Sequence, residues 1–198
     1  MEARFQCKCG ALTGAIKETH RAYRGICYCK DCRAYSKHLG ALSITHDAAG
    51  GADFVCTTTR HISFVSGIEN LACLSLSSTG LLRWYAKCCN TPICNTTRSW
   101  KIPYVSFVRT CFDTAPGVYE NVFPLVQMCV NRGSALTTPP SKMASTFLTL
   151  ARLASTMVVE CASSGYRKTP LFTEPDGAPL VEVIVLTPAQ RQFAYSVT

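Results

Sequence analysis

The run Leu71-Ala-Cys-Leu-Ser-Leu76, Ser77-Ser-Thr-Gly80, Leu81-Leu-Arg-Trp-Tyr85 decides the fold. Two short apolar stretches flank a polar segment ending on glycine, the pattern of paired strands around a turn. Working outward, residues 52–66 are rich in Val, Thr, Phe and Ile and stop at Ser66-Gly67; residues 37–48 precede them across the Ala48-Ala-Gly-Gly51 turn. Each reads as a further strand. Ala11-Leu-Thr-Gly-Ala-Ile16 alternates well enough for another, and Leu180-Val-Glu-Val-Ile-Val-Leu186 reads as the last. Short strands at this spacing predict a mainly β fold of antiparallel strands. Pro139-Pro140-Ser141 has the chemistry of a helix entry, and the spacing predicts a helix over 141–163 closed by Ser163-Ser-Gly165. Met143, Phe147, Leu150, Leu153, Ala154, Met157 and Val158 recur at three- and four-residue steps, which predicts one buried helical face.

The chain has 198 residues, which predicts a single domain over 1–198. Its residues are 47% hydrophobic and only 16% charged, enough for a core and too little charge for a disordered chain. Twenty Lys and Arg against 12 Asp and Glu give a formal +8, but the basic residues are scattered, which argues against nucleic acid as a partner. The apolar stretch Phe147 to Val159 is interrupted by Arg152 and is too short to span a bilayer, so no membrane partner is expected. No charged start, apolar run and small-residue cleavage site opens the sequence, so the expectation is a cytoplasmic protein without a signal peptide. Histidines 20, 38, 46 and 61 are isolated, with no two at ligand spacing. No phosphate-binding glycine loop or dinucleotide fingerprint is present.

Thirteen cysteines are the outlier. A reducing compartment and an odd count both argue against a disulfide framework and for metal. In Cys27-Tyr-Cys-Lys-Asp-Cys32 three thiols fall within six residues, so a tight fold of the chain turns them toward one point, and an all-sulfur set suits zinc. Cys7-Lys-Cys9-Gly10 needs partners from elsewhere, and Cys88-Cys89 are the obvious ones. Adjacent cysteines on a strand face opposite ways, so both share a metal only on a turn, such as Asn90-Thr-Pro92 allows; otherwise Cys89 binds and Cys88 faces the other site or stays free. Cys56, Cys73, Cys94, Cys111, Cys129 and Cys161 sit mostly in apolar stretches and read as buried and inert. Asp31 is either a turn residue or a group that orients the thiolates.

The order C-x-C-G at Cys7, C-x-C-x-x-C-R at Cys27 and an aromatic-flanked cysteine pair before Thr91-Pro92 resembles the glutathione-dependent formaldehyde-activating enzyme family, which includes the centromere protein V proteins. The likeness covers roughly residues 5–93, leaving 94–198 as an elaboration. It departs where the family's Phe-Cys-x-x-Cys-Gly-Thr becomes Tyr85-Ala86-Lys87-Cys88-Cys89-Asn90-Thr91. The resemblance implies a β-tent fold and two zinc ions. One would be a structural site matched by Cys7, Cys9 and Cys89, with Cys88 in place of the missing ligand. The other would be an open, catalytic site matched by Cys27, Cys29 and Cys32, with Arg33 following it. It further implies a carbon–sulfur lyase acting on a thiol–aldehyde adduct such as S-hydroxymethylglutathione, with a small-molecule thiol, glutathione for instance, as partner. Lys30, Arg33 or Arg83 would hold the substrate's carboxylates. The rival expectation is a non-enzymatic structural zinc module that serves a protein interaction, in which Cys88 closes the second site.

Overall fold

The computed structural model describes residues 2–112, 117–139 and 146–196. In chain order its elements are β1 (Glu2–Gln6), β2 (Thr13–Lys17), β3 (Tyr23–Cys27), α1 (Lys30–His38), α2 (Leu42–Thr45), β4 (Ala52–Thr58), β5 (Ile62–Ser66), β6 (Leu71–Ser75), β7 (Leu82–Ala86), β8 (Thr91–Thr96), β9 (Tyr104–Val108), α3 (Val118–Val122), β10 (Val126–Val130), α4 (Thr146–Ala162), β11 (Val183–Val185) and α5 (Pro188–Tyr195). The fold is mainly β, as the alternation of short apolar runs predicts. A three-stranded sheet has the order β1-β2-β5, and an eight-stranded sheet has the order β10-β3-β4-β9-β8-β7-β6-β11.

Neighbouring strands pair antiparallel except at the two outer edges of the larger sheet. There β10 joins β3 and β11 joins β6 in parallel. Because β9 lies between β4 and β8, the larger sheet draws on residues from both sides of position 93. The main core sets Phe5, Leu12 and Ile16 with Val55, Trp84, Ile93 and Phe107. Trp84 is fully enclosed, and its indole N–H donates to Thr96 Oγ1 at 3.0 Å, which satisfies the polar edge of the largest buried side chain. Among the described residues, no helix is long and apolar enough to cross a membrane.

Three segments differ from the pattern-based expectation. Residues 37–48 form no strand: α1 ends at His38 and α2 follows after Gly40, at φ +70°. The cause lies just upstream, because Cys29 Sγ accepts from the Cys32 amide at 3.2 Å and caps the first turn of α1. Residues 52–66 make two strands in different sheets, separated by a 3-10 turn at Thr59–His61. The helix α4 is present, with the expected start at 141–145 lying outside the described residues, as does Met143. Its expected apolar face is not the buried one. Leu153 is buried and Met157 packs against the same cluster, but Phe147 is 83% exposed, and Leu150, Ala154 and Val158 are exposed too. Polar anchors hold the inward side instead: Thr149 Oγ1 donates to the Gln127 carbonyl at 3.1 Å, and buried Glu160 takes Arg60 at 3.2 Å.

Candidate metal centres

The first cluster joins the β1–β2 connection to the β7–β8 turn. Cys7 and Cys9 sit on a tight turn in which the Gly10 amide donates to the Cys7 carbonyl at 2.9 Å. Cys88 and Cys89 sit on the turn between β7 and β8, where Asn90 takes φ +53° and lets two adjacent side chains point the same way. The four sulfurs lie within 4.8 Å of one another. Cys7–Cys9 is 3.5 Å, Cys7–Cys88 3.8 Å, Cys9–Cys88 3.4 Å and Cys88–Cys89 3.8 Å. A tetrahedral zinc with sulfurs at about 2.3 Å separates them by about 3.8 Å, so the set fits such an ion. Both members of the pair therefore belong to this cluster, and Cys88 does not reach the second one.

Hydrogen bonds orient this set. The Leu12 amide donates to Cys7 Sγ at 3.3 Å, and Thr91 Oγ1 lies 3.0 Å from Cys89 Sγ while accepting from the Lys8 amide at 3.0 Å. Thiols packed so closely divide their protons unequally. At Cys89, desolvation is outweighed by hydrogen bonds from Thr91 and the Cys9 amide, which bring it down to about 6. Cys88 is pushed up to about 12 by desolvation within the cluster and its hydrogen bonds with Cys9 and Cys7.

The second cluster is local. Cys27 ends β3, Cys29 caps α1 and Cys32 lies in its first turn, so strand, cap and helix turn three sulfurs inward within one short segment. Cys27 and Cys32 are 3.8 Å apart, and all three sulfurs lie within 4.8 Å of one another. Asn131 Nδ2 donates to Cys27 Sγ at 3.4 Å. All three thiols resist ionisation as free groups. Cys32 is pushed up to about 11 by its hydrogen bond with Cys27 and by burial, and Cys27 is raised by its bond with Cys29 and by burial. At Cys29 the bond with Cys27 pulls down, but the bond with Cys32 and burial prevail and carry it up to about 11.

This set lines a cavity of about 390 Å³, within the size range of small-molecule sites. Asp31, Tyr35, Arg83, Asn95, Tyr104 and Ser106 also face it. No fourth Cys, His, Asp or Glu joins the three sulfurs in a ligand cluster among the described residues. Tyr104 is held well above its ordinary value, chiefly by burial, so its phenol keeps its proton.

The expected substrate cations are placed differently. Arg33 does not line the cavity; it is 2% exposed and its Nη1 donates to the Tyr28 carbonyl at 2.7 Å, so it ties the thiol loop to its surroundings. Lys30 is solvent-exposed and does not line it either. Arg83 does. Asp31 accepts from the Tyr195 hydroxyl at 2.7 Å, a contact that ties α5 to α1. Sequence reasoning did not single out Asn131, Asn95, Tyr104 or Ser106. It missed α5 as well, although Thr187-Pro-Ala-Gln190 carries the capping-box and leading-proline signal that forms there.

The remaining cysteines behave as core. Cys56, Cys73, Cys94, Cys111 and Cys129 are buried, and burial pushes Cys56 and Cys73 up to about 12. Cys161 differs: it is exposed, with Sγ on the Lys101 carbonyl at 3.1 Å. Neither His38 nor His61 lines the cavity; His46 is lowered to about 4 by burial and by Arg33.

Fold and sites define a mainly β protein with two thiol clusters shaped to hold metal ions. Over residues 3–183 the chain matches the family described as a family of unknown function, DUF6151, and it belongs to that family. A solved structure of a Rhodobacter sphaeroides protein, a structural-genomics target, is similar at 17% identity and a TM-score of 0.40, over 57% of this chain and 89% of that one. No curated protein matches the sequence.

Proposed function

We propose that the protein holds two zinc ions, a closed one on Cys7, Cys9, Cys88 and Cys89 and an open one on Cys27, Cys29 and Cys32. At the open one it would make and break the carbon–sulfur bond of a thiol–aldehyde adduct, such as S-hydroxymethylglutathione. The observation that carries this reading is the cavity of about 390 Å³ against which the three-sulfur cluster lies. The resemblance of the cysteine pattern to the formaldehyde-activating family supports it. A bound zinc would lower the pKa of an incoming thiol toward neutrality. In the forward direction the thiol proton leaves, the sulfur attacks the aldehyde carbon, and the carbonyl oxygen takes up a proton to give the hydroxymethyl thioether. The reverse breaks that carbon–sulfur bond and returns thiol and aldehyde. The cavity side chains supply hydrogen-bond donors for the developing alkoxide, with Tyr104 kept protonated by burial.

Elemental analysis of the purified chain, paired with an assay of adduct cleavage, tests this. The expected result is about two zinc per chain and cleavage that is lost in Cys29→Ser together with about one zinc. A chain with both zinc ions that leaves thiol–formaldehyde adducts untouched overturns the lyase reading. A chain without metal overturns the whole.

A further inference from the structure

Arg83 is buried in the cavity wall, and no carboxylate among the described residues pairs with it. It pairs in register with Asn95, and Asn95 with Ser106, so the three side chains share one face across β7, β8 and β9. Arg83 Nη1 donates to Asn95 Oδ1 at 3.2 Å, and Asn95 Nδ2 donates to Ser106 Oγ at 3.4 Å. The guanidinium stacks over the Tyr35 ring at 5.1 Å and is only 2% exposed. Its Nε has no hydrogen-bond partner among the described residues. It is also the one cation among the described residues that line the cavity.

The two carboxylates among the described residues of that wall are hydrogen-bonded elsewhere. Asp53 accepts from Arg24 Nη2 at 2.7 Å and from the Tyr119 hydroxyl at 2.9 Å, and Asp31 accepts from Tyr195. A buried arginine with a free donor calls for an anion, and the planar fork suits a carboxylate. Arg83 lines the same cavity as Cys27, Cys29 and Cys32. An anion seated on it therefore lies close to the three sulfurs.

We propose that the cavity takes a short thiol acid, with its sulfur completing the shell begun by Cys27, Cys29 and Cys32 and its carboxylate on the guanidinium of Arg83. The thiol proton leaves to solvent as the sulfur binds. This rests on the open-site reading above and narrows its substrate class. Because Arg83 and the three sulfurs share one cavity wall, a short chain between sulfur and carboxylate suits the ligand. Mercaptoacetate and mercaptopropionate are the simplest ligands of that kind.

The full chain loaded with cobalt(II), whose sulfur coordination is read by visible absorption, is titrated with mercaptopropionate, mercaptoethanol, cysteamine and glutathione. The parent should bind mercaptopropionate about tenfold or more tighter than mercaptoethanol, as a charge-assisted fork predicts. Glutathione should alter the spectrum as well, as the open-site reading requires. Arg83→Met should equalise the thiol acid and the neutral thiol while still binding both, and Arg83→Lys should keep part of the preference. Equal affinities in the parent, or a preference that survives Arg83→Met, overturn the assignment and leave the open site standing. A spectrum that no thiol alters takes down the open site and this inference together. Should Arg83→Met fail to fold, the parent's ranking of the thiols decides the matter.

Discussion

Removing Cys88 and Cys89 together should unfold the protein far more readily than removing Cys29 and Cys32. The two clusters close chain loops of very different length. Cys9 and Cys88 are 79 positions apart, whereas Cys27 and Cys32 are 5 apart. In the chain-entropy description of a crosslink, closing the longer span is worth about 4.5 kcal/mol and the shorter about 2 kcal/mol. Unfolding entropy of about 2.1 cal/mol/K per residue over 198 residues converts these to losses of about 11 °C and about 5 °C in Tm. Cys88 is exposed and Cys89 half-buried, so their loss opens no cavity in the core that could mimic the effect. Thermal unfolding of the metal-loaded chain, of Cys88→Ser/Cys89→Ser and of Cys29→Ser/Cys32→Ser measures the difference. A chelated parent should melt at or below the temperature of the first double variant. If the local pair costs as much as the distant pair, or the distant pair costs less than about 5 °C, the staple reasoning is refuted.

Metal binding at the second cluster should release protons. Cys27, Cys29 and Cys32 are all raised, two of them to about 11, so at neutral pH they are protonated before an ion binds. Affinity then climbs as pH rises, by about tenfold per pH unit for each proton and about a thousandfold for three; titration calorimetry in buffers of different ionisation heat counts them, and a count of one would remove thiols from the ligand set. Gly67→Ala should destabilise by about 1–3 kcal/mol or more in urea unfolding, because Gly67 has φ +72° and an added Cβ would strike the Ala11 carbonyl. A neutral result would show that this turn relaxes. Arg60→Met should cost about 2–3 kcal/mol, less than for a fully enclosed pair because Arg60 is 38% exposed, by stranding the buried carboxylate of Glu160. Arg60→Met/Glu160→Met should recover most of that loss, and a double variant as unstable as the single would mean the pair does not anchor α4.

What could be read in advance follows locality. The pairing of β6 with β7 depends on neighbouring residues and their turn, and it stands where the pattern puts it. The three-thiol knuckle is equally local. The segment 37–48 was misread because periodicity ignores a cap supplied by a cysteine side chain: Cys29 starts a helix that runs through Lys37 and His38. The orientation of α4 was misread for a related reason, since Thr149 and Glu160 find partners on β10 and in the turn after β4, and such polar anchors leave no trace in hydrophobic spacing. The joint use of Cys88 and Cys89 hinged on Asn90 adopting φ +53°, a conformation that sequence permits without dictating. Arg33 follows the thiols in sequence and looked like the substrate cation, while Arg83 reaches the cavity only through the register of β7 with β8.

The same difference in locality separates the duties of the two clusters. A set assembled from both ends of a long loop exists only when the sheets are already joined, so an ion bound there would act on the fold. A set held by one strand end and one helix turn needs little of the fold to bring its sulfurs together, and it lines a cavity. Arg83 belongs to the second arrangement because β7 carries it into that wall, and β7 is also the strand that leads into Cys88 and Cys89. Loss of the distant ion should therefore disturb the thiol pocket through β7, while loss of the local ion should leave the distant cluster intact. A cobalt-loaded Cys29→Ser/Cys32→Ser chain should keep the absorption of a four-sulfur site. If that band disappears with the local pair, the distant centre depends on the local one.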